Sequence, residues 1–152
     1  MSKKDRGKTP VVAALRPAGL AAKVPVASAA PPGGWNTVRP SLHLAQMDMG
    51  GPFSWANISD ADARMSACFL REISSNTWAE ILGGKHHAVD VEDIVKEARA
   101  RLGKLELDDL DNIVSLRLGG KQRIWVARFQ HYAFLLWWDP EHAVCPSTKK
   151  NT

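Results

Sequence analysis

The chain has 152 residues and is 45% hydrophobic, the size and composition of one ordinary globular domain. It holds no run of about 18 apolar residues, so no membrane span is expected; Arg16, Pro17, Lys23 and Pro25 break the Ala- and Val-rich stretch from Val11 to Ala30, which argues against a signal-peptide core. The formal charge of +4 is uneven: seven basic side chains against one acidic in 1–40, seven against thirteen in 41–112, and six against two from 113 onward, so the middle of the chain would repel a polyanion while its two ends would attract one.

Residues 1–34 read as a disordered basic leader, rich in Ala, Pro, Lys and Gly and without an aromatic residue. Such a segment buries too little apolar area to offset its ordering entropy. Pro31-Pro32-Gly33-Gly34 marks the boundary. Residues 35–148 form a single α+β domain in this reading, and 149–152 a tail. Two cysteines, Cys68 and Cys145, are too few for a disulfide framework and fit free thiols in a reducing cytoplasm.

Within the domain, Ser41 to Met47 alternates as a short strand with Leu42 and Leu44 inward. Gly50-Gly51-Pro52 then breaks the chain. Ser59 is an N-cap, with Asp60 and Asp62 opposing the helix dipole. Ala61, Met65, Cys68, Phe69 and Ile73 follow at helical spacing, which predicts a helix from about Asp60 to Ile73. Thr77-Trp78-Ala79-Glu80 is a capping box that opens a short helix stopped by Gly83-Gly84. Asp90 is read as the cap of a third helix, with Ile94, Val95, Ala98 and Leu102 inward, Glu92 and Lys96 paired on the outer face, and Gly103 as the stop. Leu105 to Asp111 reads as a turn and a short helix.

The remainder reads as strand. Asn112 to Leu118 puts Val114, Leu116 and Leu118 on one face, Ser115 and Arg117 on the other. Gly119-Gly120-Lys121 is a hairpin loop, Gln122 to Phe129 a second strand, and Tyr132 to Trp138 an almost wholly apolar third, expected to be central and covered on both faces, by the helices on one side. The fold class is therefore α+β: two or three helices, then an antiparallel meander of three or more strands.

The candidate site lies on this meander. Arg117, Lys121, Arg123, Arg128 and Tyr132 are candidate nucleic-acid-binding residues, because guanidinium forks grip phosphate and aromatic rings stack on bases. His131 and His142 are candidate general acid or base, and Arg123 a candidate stabiliser of phosphate charge. In-line cleavage by a ribose 2′-hydroxyl needs no metal. The competing reading of the arginines is solvated surface, or pairing with acids such as Asp108 to Asp111.

Other chemistries are weaker. His142 and Cys145, even with His86-His87, make half a zinc site, and there is neither CxxC nor HExxH. Cys68 sits on the predicted apolar helix face, where thiols are packing groups. GxGxxG and GxxxxGK[ST] are absent. No metal and no cofactor is expected. Trp55, Trp78, Trp125, Trp137 and Trp138 are most simply core, although adjacent Trp137 and Trp138 must face opposite sides, and an exposed one would mark a protein-docking surface.

The stretch SLRLGGKQRIWVARFQHYAFLLWWDPEHAVCP resembles the end of small bacterial and mobile-element proteins that share an Arg-bearing strand, a short turn, an apolar strand and Asp-Pro-x-His before a Pro. More loosely, the order of elements is similar to the RelE/ParE/HigB toxin fold. That resemblance implies ribosome-dependent mRNA cleavage and neutralisation by an antitoxin, with His142 and Lys149-Lys150 as C-terminal candidates. The partners expected are RNA or the ribosome, and a protein, either an antitoxin or a host factor; no membrane is expected. The alternatives are a non-catalytic factor that docks through its Trp-bearing sheet, and an antitoxin or immunity protein that covers a basic partner with its acidic middle. Asp139-Pro140 reads as strand termination, since Pro140 lacks a ladder amide. Whether His142 then folds back beside Arg117 and Arg123, or Arg128, or points to water is open.

Overall fold

Strands of alternating polarity and capped helices account for most of the domain. The structure, a computed structural model, describes Leu20 and residues 29–147. In chain order its elements are β1 (Ser41–His43), α1 (Asp60–Ser74), α2 (Trp78–Leu82), β2 (His87–Asp90), α3 (Lys96–Lys104), β3 (Asn112–Gly119), β4 (Gln122–Phe129) and β5 (Tyr132–Asp139), with single 3₁₀ turns at Trp35–Thr37, Trp55–Asn57 and Val91–Asp93. The strands form one five-stranded sheet in the order β1-β5-β4-β3-β2. Every pairing is antiparallel except β1 with β5. The chain is thus α+β, as its pattern predicts. No helix among the described residues is long and apolar enough to cross a membrane.

The local helix signals work as read. The Ser59 hydroxyl accepts from Asp62 N at 3.1 Å. Thr77 and Glu80 make both bonds of the capping box, at 3.3 and 2.9 Å. The pleat separates β4 as expected: Trp125, Ala127 and Phe129 join one core, while Ile124 and Val126 join the other.

Both sheet faces are buried, and helices cover both, not one. α3 packs over the face of Ile113, Trp125 and Trp137; α1 and α2 pack over that of Val114, Ile124 and Trp138. Trp137 and Trp138, 0% and 4% exposed, therefore each lie under a helical layer. Leu20, also fully buried, joins the α3-side core; the rest of the predicted leader up to residue 28, and the tail from 148, fall outside the described residues.

Other expectations need correction. The buried residues of α1 are Ser66 and Ile73, with Phe69 and Leu70 half-buried, whereas Met65 and Cys68 are exposed. Phe69 and Ile73 turn inward as predicted, but Ser66 and Leu70 complete the inward stripe in place of Ala61, Met65 and Cys68. β1 ends at His43, which leaves Leu44 61% exposed. Asp90 opens only a 3₁₀ turn and its side chain caps nothing. Val91 N and Val95 N instead donate to Asp111 O and Val144 O, and these tertiary bonds hold the chain extended until α3 starts at Lys96. Glu92 is therefore not on the same helix as Lys96. Gly103 lies inside α3, and Glu106, at φ 58°, takes the left-handed position that ends it. Residues 105–111 form turns that plug Leu107 and Leu110 into the core.

One buried acid fastens these layers. Asp48, 2% exposed, accepts from Arg101 Nε and Nη2 of α3 at 2.7 and 2.6 Å, from Trp137 Nε1 of β5 at 3.0 Å, and from Gly50 N at 3.1 Å. Its loop docks on a β-bulge. Trp125 opposes Trp137 but Val126 opposes Leu135, so Leu136 is the extra residue, and its carbonyl accepts from Asp48 N at 2.9 Å and Trp55 Nε1 at 3.1 Å. Burial alone would raise the Asp48 pKa, but the bonds from Arg101, Gly50 and Trp137, with the Arg101 charge, hold it below the ordinary 3.8. Its stabilisation is thus present above pH 3.8 and lost as pH falls through the lowered value. Asp48→Ala should cost on the order of 3 kcal/mol, because a buried indole N–H and a guanidinium lose their acceptor; urea unfolding, read as a lower midpoint at unchanged slope, measures it.

Candidate functional site

The ends of β2, β3 and β4 present two lateral rows on the α3-side face. His87, Ser115, Trp125 and Trp137 stand opposite one another across four strands. The next row is Arg117, Arg123 and Asp139. Facing residues in such a row are about 5 Å apart, and the rows themselves about 7 Å apart. His87, Ser115 and Trp125 of the first row and Arg117 and Arg123 of the second line an open cleft of about 410 Å³, together with Lys85 and His142.

Arg117 and Arg123 are the central feature. They face each other directly across β3 and β4, an arrangement in which two like charges repel. Among the described residues neither forms an ion pair. Arg123 is 8% exposed. Its hydrogen bonds both leave from Nη1, to Gly120 O at 2.7 Å and Gln122 O at 3.0 Å. Burial first, and then the Arg117 charge, push its pKa down, and Asp139 offsets part of this.

Asp139 answers the question of the Asp-Pro-Glu-His corner. It is 1% exposed, and its oxygens accept from Trp125 Nε1 at 3.1 Å, Ala143 N at 2.8 Å and Val144 N at 3.0 Å. It accepts turn hydrogen bonds as expected, with both oxygens, and so folds residues 140–144 back over the sheet. His142, at φ 56°, is thereby carried to the cleft wall beside Arg117 and Arg123. Its Nδ1 lies 3.4 Å from Ser147 Oγ. Burial, then the charge of Arg123, push its pKa below the ordinary 6.5; Arg117 and His87 add to this and Asp139 opposes it.

Of the other sequence candidates, Lys121 sits on the adjoining hairpin with its amine 4.0 Å from Glu141, both about three-quarters exposed, a pair of little energetic weight. Arg128, Tyr132 and His131 lie at the other end of β4 and β5, roughly 20 Å away along an eight-residue strand. Arg128 projects to the opposite face, 4.3 Å over the Trp78 ring, and donates to Gln130 O and Asn36 Oδ1. His131 stacks on Trp35 at 5.0 Å and on Tyr132 at 4.2 Å.

Lys85, His87 and Ser115 also line the cleft; of these the sequence offers His87 only as a weak metal ligand, Ser115 only as a neighbour of Arg117 on its strand face, and Lys85 not at all. Their signal is slight: β2 is four residues long, and His86-His87 reads from sequence as a loop pair. His86 explains how this edge is held. It is 8% exposed, packs edge-on against Phe69 on the other face, and its Nδ1 accepts from Arg117 N at 2.9 Å. The side chain thus continues a ladder that the β2 backbone has left. In the neutral ring the proton is then on Nε2.

Burial is the first cause that lowers the pKa values of His86, His131 and His142 below 6.5. The unfolded chain therefore binds protons more readily, and stability should be full above pH 6.5 and fall as pH drops below it through the lowered folded values. Denaturant titrations on either side of that pH measure the loss. His86→Ala should remove part of the slope and cost roughly 1–2 kcal/mol, because the Arg117 amide loses its acceptor.

Compared with known proteins, the chain matches no family model, no curated protein and no solved structure, so the reading of its function rests on the cleft itself.

Proposed function

We propose that this chain is a small toxin-like RNA-binding or RNA-cleaving protein that works through the cleft of Arg117, Arg123 and His142. The observation that carries this reading is the facing pair Arg117 and Arg123, like charges opposed on a sheet with no ion-pair partner among the described residues. An anion bound between the two guanidiniums would relieve this repulsion. Two guanidiniums about 5 Å apart can share the oxygens of one phosphodiester. Lys85 extends the positive field along the cleft. An open groove of basic side chains suits a flexible single strand, whose phosphates it can follow.

Replacement of both arginines, R117A with R123A, should weaken binding to single-stranded RNA at least tenfold at moderate salt and flatten the dependence of affinity on salt. Fluorescence anisotropy at several salt concentrations reads both. Arg99→Ala, which removes a charge from the exposed side of α3, should leave the affinity unchanged. R117Q alone should stabilise the RNA-free protein by up to about 1 kcal/mol while it weakens binding, since it relieves the facing repulsion. Unchanged RNA binding by the double variant would end this reading.

A protein-docking reading keeps support from a different place. The sheet tryptophans are buried and offer a partner nothing. Leu44 and Met49, each 61% exposed, instead flank an apolar groove of about 280 Å³ between α1 and the β1 loop. A neutralising antitoxin chain that docks there should bind at high salt, and L44K with M49K should abolish its binding without change in RNA affinity; isothermal titration with the co-expressed partner is the check.

A further inference from the structure

The cleft carries a second histidine besides His142, at the sheet edge. His142 comes from the turn after β5; His87 comes from the edge strand β2, three strands away in the sheet order. Both line the same cavity, with Arg117 and Arg123 between them in the lateral order of the strands. No carboxylate lines the cavity. Asp139, beside Arg123 in its row, spends both oxygens on an indole and two backbone amides, and Asp90 and Asp93 line the adjoining hollow rather than the cleft. The donor set is therefore poor in the oxygen ligands that hard divalent cations require, and rich in groups that move protons and grip phosphate.

Resting on the RNA reading, we infer that His87 and His142 are an acid–base pair, and that the substrate is single-stranded RNA whose own 2′-hydroxyl is the nucleophile. Arg117 and Arg123 hold the non-bridging oxygens of the scissile phosphate and take up the charge that builds there. His142 accepts the 2′-hydroxyl proton. The O2′–P bond forms as the P–O5′ bond breaks, and His87, as imidazolium, gives its proton to the departing O5′. One proton is taken up and one released, no electron is transferred, and the products are a 2′,3′-cyclic phosphate and a 5′-hydroxyl. The division of roles follows from environment. Burial and neighbouring cations keep His142 unprotonated at neutral pH, as a base must be. His87 is exposed at the sheet edge, where it can draw its proton from water. DNA of the same sequence offers the same phosphates but no nucleophile.

The test uses the full chain with a mixed-sequence RNA oligonucleotide in chelator, alone and on translating ribosomes, beside its all-deoxy counterpart. The expected result is cleavage of RNA to cyclic-phosphate ends, binding of the DNA without cleavage, and a loss of rate of about 100-fold or more in H87Q and in H142Q with RNA binding retained. His87 is exposed and glutamine keeps the size of the ring, so thermal melting of H87Q should match that of the parent chain. RNA that is bound but intact, both free and on ribosomes, would overturn the catalytic pair and leave the binding reading standing. RNA that is not bound would overturn both. Cleavage by H87Q at the parent rate would remove His87 from the reaction. Cleavage of the DNA would exclude the 2′-hydroxyl as nucleophile.

Discussion

The buried carboxylate of Asp48 joins a loop, strand β5 and the helix on one sheet face in a single set of hydrogen bonds. A charge in that position is costly to desolvate. It is retained because four N–H groups, two of them from a guanidinium in fork geometry, converge on its two oxygens. The bulge at Leu136 is the other half of the arrangement. Its carbonyl anchors Asp48 N and Trp55 Nε1, so the loop from 48 to 55 lies along the edge of β5 beyond the end of β1. The short parallel β1 and this loop together cover an edge that would otherwise present unpaired backbone.

The same logic recurs at the other end of the sheet with a different outcome. Asp139 also takes an indole N–H, here from Trp125, but its remaining capacity goes to the backbone of a turn. That turn brings His142 over the arginine row. The two acids thus have parallel roles: one closes the core and the other shapes the cleft. Four indole N–H groups have partners, since Trp55 and Trp78 also donate, to the Leu136 and His131 carbonyls, as expected of aromatic residues that carry a polar atom into a core. The arginine row has no such closure. Arg117 and Arg123 face each other without an acid between them, in contrast to Arg101, whose charge is fully answered. Arg117 is exposed, and Arg123 bonds only to backbone carbonyls with Asp139 beside it in the row, so the positive charge of this pair stays open to the cleft.

Much of the fold was legible in the residues. Ser59 and the Thr77/Glu80 box start their helices because a cap is a local bond, decided within four residues. The meander was legible because an alternating or wholly apolar run of eight residues leaves few other options. The elements that were misread are those whose structure comes from elsewhere in the chain. Asp90 looked like a helix cap, but the amides of Val91 and Val95 are claimed by Asp111 and Val144. The inward face of α1 was legible only in part, because Met65 and Cys68 are apolar yet the sheet lies on the side of Ser66 and Ile73. β2 was missed because four residues with one buried side chain carry no period of their own; the strand exists where β3 offers an edge.

The sequence by itself determined the first two helices and their N-caps, the three long strands, the opposite facing of Arg123 and Arg128, and the use of Asp139-Pro140 as a strand stop, because each follows from the pleat, from a cap, or from a missing amide over a few neighbouring positions. Only the tertiary structure decided that Arg117, Arg123, His142 and His87 meet in one cleft while Arg128, His131 and Tyr132 lie a strand's length away. That choice depends on sheet order, on register and on the three hydrogen bonds of Asp139, which join positions up to 55 residues apart along the chain, His87 to His142, and leave no trace in local periodicity.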